Sequence, residues 1–353
     1  MTSETSTPTP VDPAPKTYAG VDTSSVPLWR SLLRWESALV VVFLIVLVIG
    51  TAHSSDFLDG SNFFYVGVNE GEVAIMALPL LLIVMTGEID LSVASMLGLS
   101  GTVVGYLFQH GWSIWPAMLV ALLVGAVGGA LNGFLIARLE LPSIAVTIGT
   151  LTLFRGIAKI LLGPDIVTGF PTSLTDIGVI PIPGTEISYS AAIFLLMAIG
   201  VGVVLHATPL GRSLVAIGLQ PEAAQFAGIR VNRIKFRLYV FSGVVCAFAG
   251  ILFSLKNSSV SYGAGTGLEL DVVAVVLFGG VSIFGGRGTV IGVVLAALTF
   301  GTLLLALTQM GVQAEVQKII TGLLLLLSLV IPRIGVAIGE FQDRLRTRSA
   351  AAG

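Results

Sequence analysis

The stretch "LLIVMTGEIDLSVASMLGLSG" at residues 81–101 places two carboxylates, Glu88 and Asp90, between two long apolar runs. The first run ends at Thr86-Gly87, and the second opens at Leu91. Charged groups beside hydrocarbon are costly. The segment is therefore a candidate for a functional site, a helix terminus or a membrane boundary.

The apolar runs around this stretch belong to a chain-wide pattern. Hydrophobic residues make up 55% of the 353 residues, and charged residues only 11%, where a soluble protein has about a quarter. Residues 91–137, 187–211 and 289–314 contain no Asp, Glu, Lys or Arg. Uncharged apolar segments of this length predict transmembrane helices. We therefore expect an all-α, polytopic membrane protein.

Apolar windows predict about ten transmembrane helices. The windows are 37–55, 66–86, 93–109, 114–137, 143–162, 188–206, 238–255, 270–285, 289–309 and 316–333. Windows 93–109 and 270–285 are short, which indicates tilted, broken or partly re-entrant segments.

The distribution of basic residues predicts the orientation. If the N-terminus is cytoplasmic, fourteen of the 18 Lys and Arg residues fall in cytoplasmic segments. Such an asymmetry is what the positive-inside rule requires, so both termini are expected in the cytoplasm. The predicted domains are a disordered cytoplasmic tail at 1–30, a transmembrane domain at 31–335 and a cytoplasmic C-terminal tail at 336–353. The internal loop 207–237 is the largest and most basic.

That internal loop contains a predicted short helix. Pro221 suits a first helical turn, Glu222 favours the positive end of the helix, and Gly228 suits the left-handed position after it. The residues between are small or apolar: Ala223, Ala224, Phe226 and Ala227. So short a helix is marginal alone in water, and its apolar residues favour docking on another protein. The alternative is a plain linker whose basic residues only set topology.

Other polar residues within apolar windows are candidates for translocation or gating. Asp90 precedes a helix expected to start near Ser92, so it is a candidate N-cap, with a gating role as the alternative. Arg155 and Lys159 are four residues apart and share one helix face; they are either functional or snorkel to the interface. Asn132 is expected to hydrogen-bond between helices.

Several classes of function lack support in the sequence. No G-x-x-x-x-G-K-[ST] motif occurs, so ATP is not bound by that route. There is no nucleophile–base constellation, no clustered metal-ligating set and no long basic run for nucleic acid. The single cysteine, Cys246, lies in an apolar stretch and suits packing. The chain is therefore not expected to be an enzyme or to hold a cofactor of its own.

Four motifs together resemble one family. "TGEIDLSVASMLGLSG" resembles the G-G-I-D-L-S-V-G-S signature of permease subunits of ribose/xylose-type ABC sugar importers. "LPSIAVTIGTLTLFRGIA", "TPLGRSLVAIGLQPEAAQFAGI" and "LFGGVSIFGGRGTVIG" resemble later motifs of the same family, in family order. Glu88, Ala94 and Gln220 depart from the usual residues. These departures make the chain more similar to the branch that serves rhamnose-like deoxysugars or autoinducer 2.

The resemblance implies partners and a transport role. Two permease subunits, identical or paralogous, would form the pathway in the bacterial cell membrane. An ABC ATPase would bind and hydrolyse ATP, and an extracytoplasmic binding protein would deliver the sugar. The family's coupling segment corresponds here to Gly211, Arg212, Pro221, Glu222, Ala223, Ala224 and Gly228.

We therefore expect the permease subunit of an ATP-driven sugar importer. The translocation or gating candidates are Asp90, Glu88, Asn132 and Arg155. The rivals are an ion-coupled secondary transporter and an uncoupled scaffold or channel subunit. The apparent lack of an unambiguous carboxylate in the middle of a span counts against ion coupling.

Overall fold

The computed structural model describes residues 35–330, and the predicted tails at 1–30 and 336–353 lie outside that range. The described chain is helical apart from two short strands. The helices are α1 (Trp35–His53), α2 (Gly60–Met85), α3 (Val93–Gln109), α4 (Ile114–Ala137), α5 (Ser143–Leu162), α6 (Thr172–Val179), α7 (Tyr189–Ala207), α8 (Pro209–Leu219), α9 (Pro221–Phe226), α10 (Val231–Lys256), α11 (Leu268–Phe278), α12 (Val290–Gln309) and α13 (314–330). The strands β1 (Val167–Thr168) and β2 (Ser259–Val260) pair antiparallel.

The predicted all-α membrane fold is confirmed, and each of the ten apolar windows coincides with a helix. Within the described range, seven helices are long and apolar enough to cross a membrane: α1, α2, α4, α5, α7, α10 and α12. The window 270–285 needs correction, because α11 ends at Phe278 and a glycine-rich turn follows. The window 238–255 begins too late, because α10 starts at Val231 and carries basic residues in its first turns.

Helix α2 is the centre of the bundle. Every residue from Gly71 to Met85 is buried, and α10, α12, α7 and α11 pack around it. The peripheral helices instead expose large apolar side chains, such as Val48 on α1 and Leu196 on α7. In a chain of this composition such surfaces suit contact with lipid or with another transmembrane subunit.

The tightest helix pair is α4 with α10, and glycines allow it. Gly125, Gly129 and Gly133 lie four residues apart on one face of α4. A Cβ at Gly125 would lie 2.5 Å from the Gly243 carbonyl oxygen, and one at Gly129 would overlap the Tyr239 carbonyl. Small residues let two backbones approach closely in lipid, where packing rather than water expulsion drives association.

The connections between helices gather at two ends of the bundle. The loop end holds 86–92, 138–142, 208–230 and 279–289; Gly218 and Gly286 meet Met85 there. The strand end holds 163–188 and 257–260, joined by the β1–β2 pairing. Seven of the eleven Lys and Arg residues in the described range lie in the loop end or in the adjoining first turns of α10. This asymmetry matches the positive-inside pattern. The placement of the loop end in the cytoplasm stays a prediction.

Candidate functional site

The opening motif folds into a buried polar cluster at the start of α3. Asp90 is 3% exposed and accepts hydrogen bonds from the Ser92 amide at 2.9 Å and the Ser92 hydroxyl at 2.6 Å. Ser242 of α10 donates to its other oxygen at 3.2 Å. Asn132 of α4 donates to the Ser92 hydroxyl at 2.8 Å. One carboxylate thus connects three helices, α3, α4 and α10.

The predicted helix cap at Asp90 needs correction. Helix α3 begins at Val93, and Ser92, not Asp90, is its N-cap residue. Asp90 binds the amide of Ser92 itself, two residues along the chain, which is an Asx turn and not a bond into the first helical turn. Asp90 therefore holds the entry of α3 in place. The predicted interhelical hydrogen bond of Asn132 is confirmed.

The motif is also tied to neighbouring elements through its flanking residues. The Ile89 amide donates to the Ser143 hydroxyl at the start of α5, at 3.2 Å. Lys235 in the first turns of α10 donates to Glu88, and the two side chains are only 13% and 17% exposed. Glu88, the residue that departs from the family signature, thus has a specific partner. The segment 88–92 is a junction between α2, α3, α5 and α10.

The loop 207–237 forms a compact structure at the loop end. Helix α8 ends against the base of α2, where a Cβ at Gly218 would overlap the Met85 carbonyl and the Gly286 amide. The Gly286 amide in turn donates to Met85 at 2.9 Å. These three backbones are in direct contact, because no side chain separates them at Gly218. The loop is therefore coupled mechanically to α2 and to the turn 279–289.

The predicted short helix is present as α9. Pro221 is in its first turn, and Gly228 adopts the left-handed conformation with φ +85° just after it. Ala224 is buried against Ile217 and Val231. Phe226 is not on that face: it is 94% exposed. The apolar residues of α9 thus divide, with Ala224 fixing the helix to α8 and α10 and Phe226 projecting from it.

Charged residues of the loop also face outward. Arg212 and Glu222 are exposed, and neither forms an ion pair within residues 35–330. Gly211 permits the tight turn from α7 into α8, where a Cβ would overlap the Leu205 carbonyl. An apolar ring, a cation and a carboxylate therefore lie on the projecting surface of this loop.

Arg155 lies far from the Asp90 cluster and holds a different segment. Its guanidinium donates to the carbonyls of Ala264 at 2.8 Å and Gly265 at 3.1 Å, and lies 3.5 Å from Glu269. Lys159, on the same face of α5, lies 5.6 Å from the ring centre of Tyr262. Both cations thus bind the segment between α10 and α11, and Arg155 does not snorkel freely.

The sequence analysis missed a buried ion pair. Lys256 at the end of α10 donates to Glu72 at 2.6 Å and to the Val68 carbonyl at 2.8 Å. The Glu72 side chain is 1% exposed and lies in α2, so the statement that no span holds a clear carboxylate is wrong. The signal was available, because Glu70 and Glu72 fall within the window 66–86. Only the fold, however, brings Lys256 beside Glu72.

A bundle of apolar helices with a buried polar junction and a projecting loop is the architecture of a multi-pass membrane permease. No group of three or more potential metal ligands occurs in the described part of the chain. The chain belongs to the family described as branched-chain amino acid transport system / permease component, whose model matches residues 63–329. The predicted ABC-type permease and its location in the bacterial inner membrane are thereby confirmed.

Curated relatives agree with this assignment. The chain is 32% identical over 302 residues to the autoinducer 2 import system permease protein LsrD of Escherichia coli (strain K12), covering 84% of this chain and 91% of that protein. The same protein of Shigella flexneri and of Escherichia coli O157:H7 matches with the same identity and coverage. No solved structure shows significant similarity to the chain.

Proposed function

We propose that this chain is the permease subunit of an ATP-driven importer that carries autoinducer 2 or a rhamnose-like sugar into the cell. The relatives named above are permeases of an autoinducer 2 import system, which supports that substrate. The partners would be an ABC ATPase that binds the ATP, a second permease subunit and an extracytoplasmic binding protein. The observation that carries the proposal is the projecting helix α9 on a loop in direct backbone contact with the transmembrane core.

Phe226 is the proposed anchor for the ATPase. A large apolar side chain that is 94% exposed at a helix end is unfavourable in water and favourable in a partner's pocket. Arg212 and Glu222 would flank it with charges that select the partner's orientation. Gly211, Pro221, Ala223, Ala224 and Gly228 would shape and hold the helix; Ala224 does so by packing on Ile217 and Val231.

Movement of α9 would reach the core along a defined route. Helices α9 and α8 pack together, and α8 meets Met85 and Gly286 at Gly218. Met85 lies five residues before Asp90, whose cluster connects α3, α4 and α10. A displacement of the loop by the ATPase would therefore shift α2 and the entry of α3 together. In this proposal Asp90, Glu88 and Asn132 serve gating by positioning helices.

The decisive experiment measures uptake of labelled autoinducer 2 in intact cells that express the full import system. We expect uptake to stop when ATP is depleted and to continue when an uncoupler removes the proton gradient. The ion-coupled rival predicts the opposite pattern, and it has two carboxylates within α2 in its favour, Glu70 and the buried Glu72. Glu72 is paired with Lys256, which favours a structural role for that carboxylate. Competition by rhamnose, ribose and xylose would then rank the substrates.

A second experiment tests the coupling surface through co-purification of the ATPase. We expect Phe226→Ala to reduce recovery of the ATPase with the permease, and Arg212→Gln and Glu222→Gln to reduce it less. Gln225→Ala is the matched control, because Gln225 is an exposed neighbour on the same helix. Unchanged assembly and uptake in all three variants would remove the coupling role from this loop.

A further inference from the structure

The chain between α10 and α11 does not continue as a helix but descends into the bundle. Val260 lies beside Gly105 of α3, and a Cβ at Gly98 would be 2.6 Å from the Ala264 carbonyl oxygen. Gly265 then approaches Leu97 and Ala94. Val260 also lies beside Gly101, so from Val260 to Gly265 the segment moves along α3 by about seven residues, or about 10 Å at 1.5 Å per residue.

This descent explains why α11 is short. The turns at 261–267 cover the outer part of the path, and α11 completes it in 11 residues. Non-helical backbone at such depth is tolerated only where protein covers it or where it lines a water-filled cavity. Both conditions hold here, because Arg155 satisfies two carbonyls of the segment, and the segment also lines a cavity of about 400 Å³.

The cavity wall combines polar and apolar groups, and no charged side chain lines it. Hydroxyl and amide groups come from Asn257, Ser259, Ser261 and Thr266, and the backbone of 263–265 adds further polar atoms. Ile166 and Phe253 supply apolar surface. The charged side chains around this segment do not line the cavity: Arg155 is paired with Glu269 and binds two carbonyls, Lys256 is paired with Glu72, and Lys159 lies over the ring of Tyr262. The wall therefore has nothing to compensate a charged ligand, and it suits a neutral molecule with several hydroxyls and an apolar face.

We propose that the cavity lined by 257–268 is a binding subsite for a neutral polyhydroxylated substrate on its way through the strand end, with Arg155 as its positioning residue. This inference rests on the proposed function, because it assigns a place to the imported molecule. Ser261 is the contact residue of choice: it lines the cavity, and its hydroxyl forms no hydrogen bond within residues 35–330. Arg155 acts through Ala264 and Gly265 and does not line the cavity itself.

The chain has a single native cysteine, so an introduced cysteine can be labelled selectively. Cys246 is buried, so a membrane-impermeant maleimide should not label the wild-type chain. In intact cells with the full import system, we expect Ser261→Cys to be labelled from outside. Autoinducer 2 or L-rhamnose at about ten times its half-saturating uptake concentration should slow that labelling about tenfold, because only the unoccupied protein reacts.

The matched control is Thr185→Cys, an exposed residue at the strand end outside the cavity. Its labelling should not respond to either probe. Equal protection of both variants would mean that another protein covers the whole surface, and it would overturn the subsite. The subsite is equally overturned if Ser261→Cys is not labelled from outside, or if a substrate that these cells import does not protect it.

Failure of the proposed function gives a different result. If neither probe enters the wild-type cells, the proposed substrates are wrong. In that case labelling alone decides: the subsite is overturned if the external maleimide does not react with Ser261→Cys. Uptake kinetics add a second readout: Ser261→Ala should raise KM about 2- to 12-fold, the equivalent of one neutral hydrogen bond. Vmax should be retained. Arg155→Lys should also raise KM and retain Vmax, because one ammonium group cannot hold both carbonyls.

Discussion

Lys235 donates a hydrogen bond to Glu88 across 147 residues of sequence, and this ion pair fastens the first turns of α10 to the junction between α2 and α3. Helix α10 begins directly after the projecting loop, so the pair links the proposed ATPase contact to the buried Asp90 cluster. Neither residue alone marks a site in the sequence. Their contact exists only because α10 packs along α2, α3 and α4.

Removal of one partner of this pair should destabilise the junction. We expect Glu88→Gln and Lys235→Gln each to lower the free energy of unfolding by about 1.5–3 kcal/mol, the range for a hydrogen bond to a charged group. The exchange of both residues, Glu88→Lys with Lys235→Glu, should recover most of the loss. Thermal unfolding in detergent measures this, with the exposed Glu140→Gln as control. Equal loss in the exchanged double variant would show that the pair contributes no specific attraction.

At position 90, replacement of the carboxylate by an amide should be tolerated better than its replacement by a methyl group. Asp90→Asn keeps an oxygen for Ser92 and places a polar nitrogen near Ser242, which can accept. We expect nearly normal unfolding temperature and uptake for this variant. Asp90→Ala leaves buried donors without partners and should cost about 1–3 kcal/mol for each one. If Asp90→Asn unfolds normally but no longer imports, the negative charge itself takes part in gating.

Removal of one partner of the ion pair Glu72–Lys256 should cost more stability than replacement of both partners by apolar residues. Lys256→Met leaves a buried carboxylate and should destabilise by about 3–5 kcal/mol. The double variant Glu72→Met with Lys256→Met removes both charges and should recover much of that stability. Unfolding curves and uptake are measured on the same preparations. A stable double variant without uptake would assign the pair a role in transport, against our expectation.

The contact of Gly218 with Met85 and Gly286 should not tolerate a side chain. Gly218→Ala places a Cβ onto two backbone groups that cannot rotate away, so we expect poor assembly of the permease and loss of uptake. Gly202→Ala on α7 is the matched control, because a Cβ there meets nothing within 4 Å. Yield in the membrane and uptake per molecule separate the two effects. Normal uptake in Gly218→Ala would show that the loop moves independently of α2.

Much of the architecture followed from the sequence. Long uncharged runs exclude a soluble fold, and each predicted window overlaps a helix of the described range because hydrocarbon forces the backbone to satisfy its own hydrogen bonds. Pro221 and Gly228 mark α9 for local reasons of backbone conformation, which act without tertiary contacts. The interhelical hydrogen bond predicted for Asn132 is also confirmed, since a buried amide needs a hydrogen-bond partner.

What the sequence could not supply depends on residues far apart in the chain. The cap role expected of Asp90 was wrong, because α3 begins at Val93 and Ser92 is its N-cap residue. The carboxylate of Asp90 instead accepts hydrogen bonds from Ser92 at one oxygen and from Ser242 of α10 at the other. The window 270–285 was expected to be tilted, broken or partly re-entrant, and its helix, α11, ends at Phe278. The sequence did not reveal that the turns at 261–267 run along α3 and are held by Arg155 of α5.

The sequence by itself determined that the chain is a helical membrane protein with a basic loop that contains a short helix, because hydropathy and turn chemistry act within a few residues. Only the tertiary structure decided which charges meet. The pairs Glu88–Lys235 and Glu72–Lys256 join residues nearly 150 or more positions apart, and Arg155 meets carbonyls that no pattern identifies. The physical reason is that a buried charge requires a partner but does not specify it; the packing of the helices does.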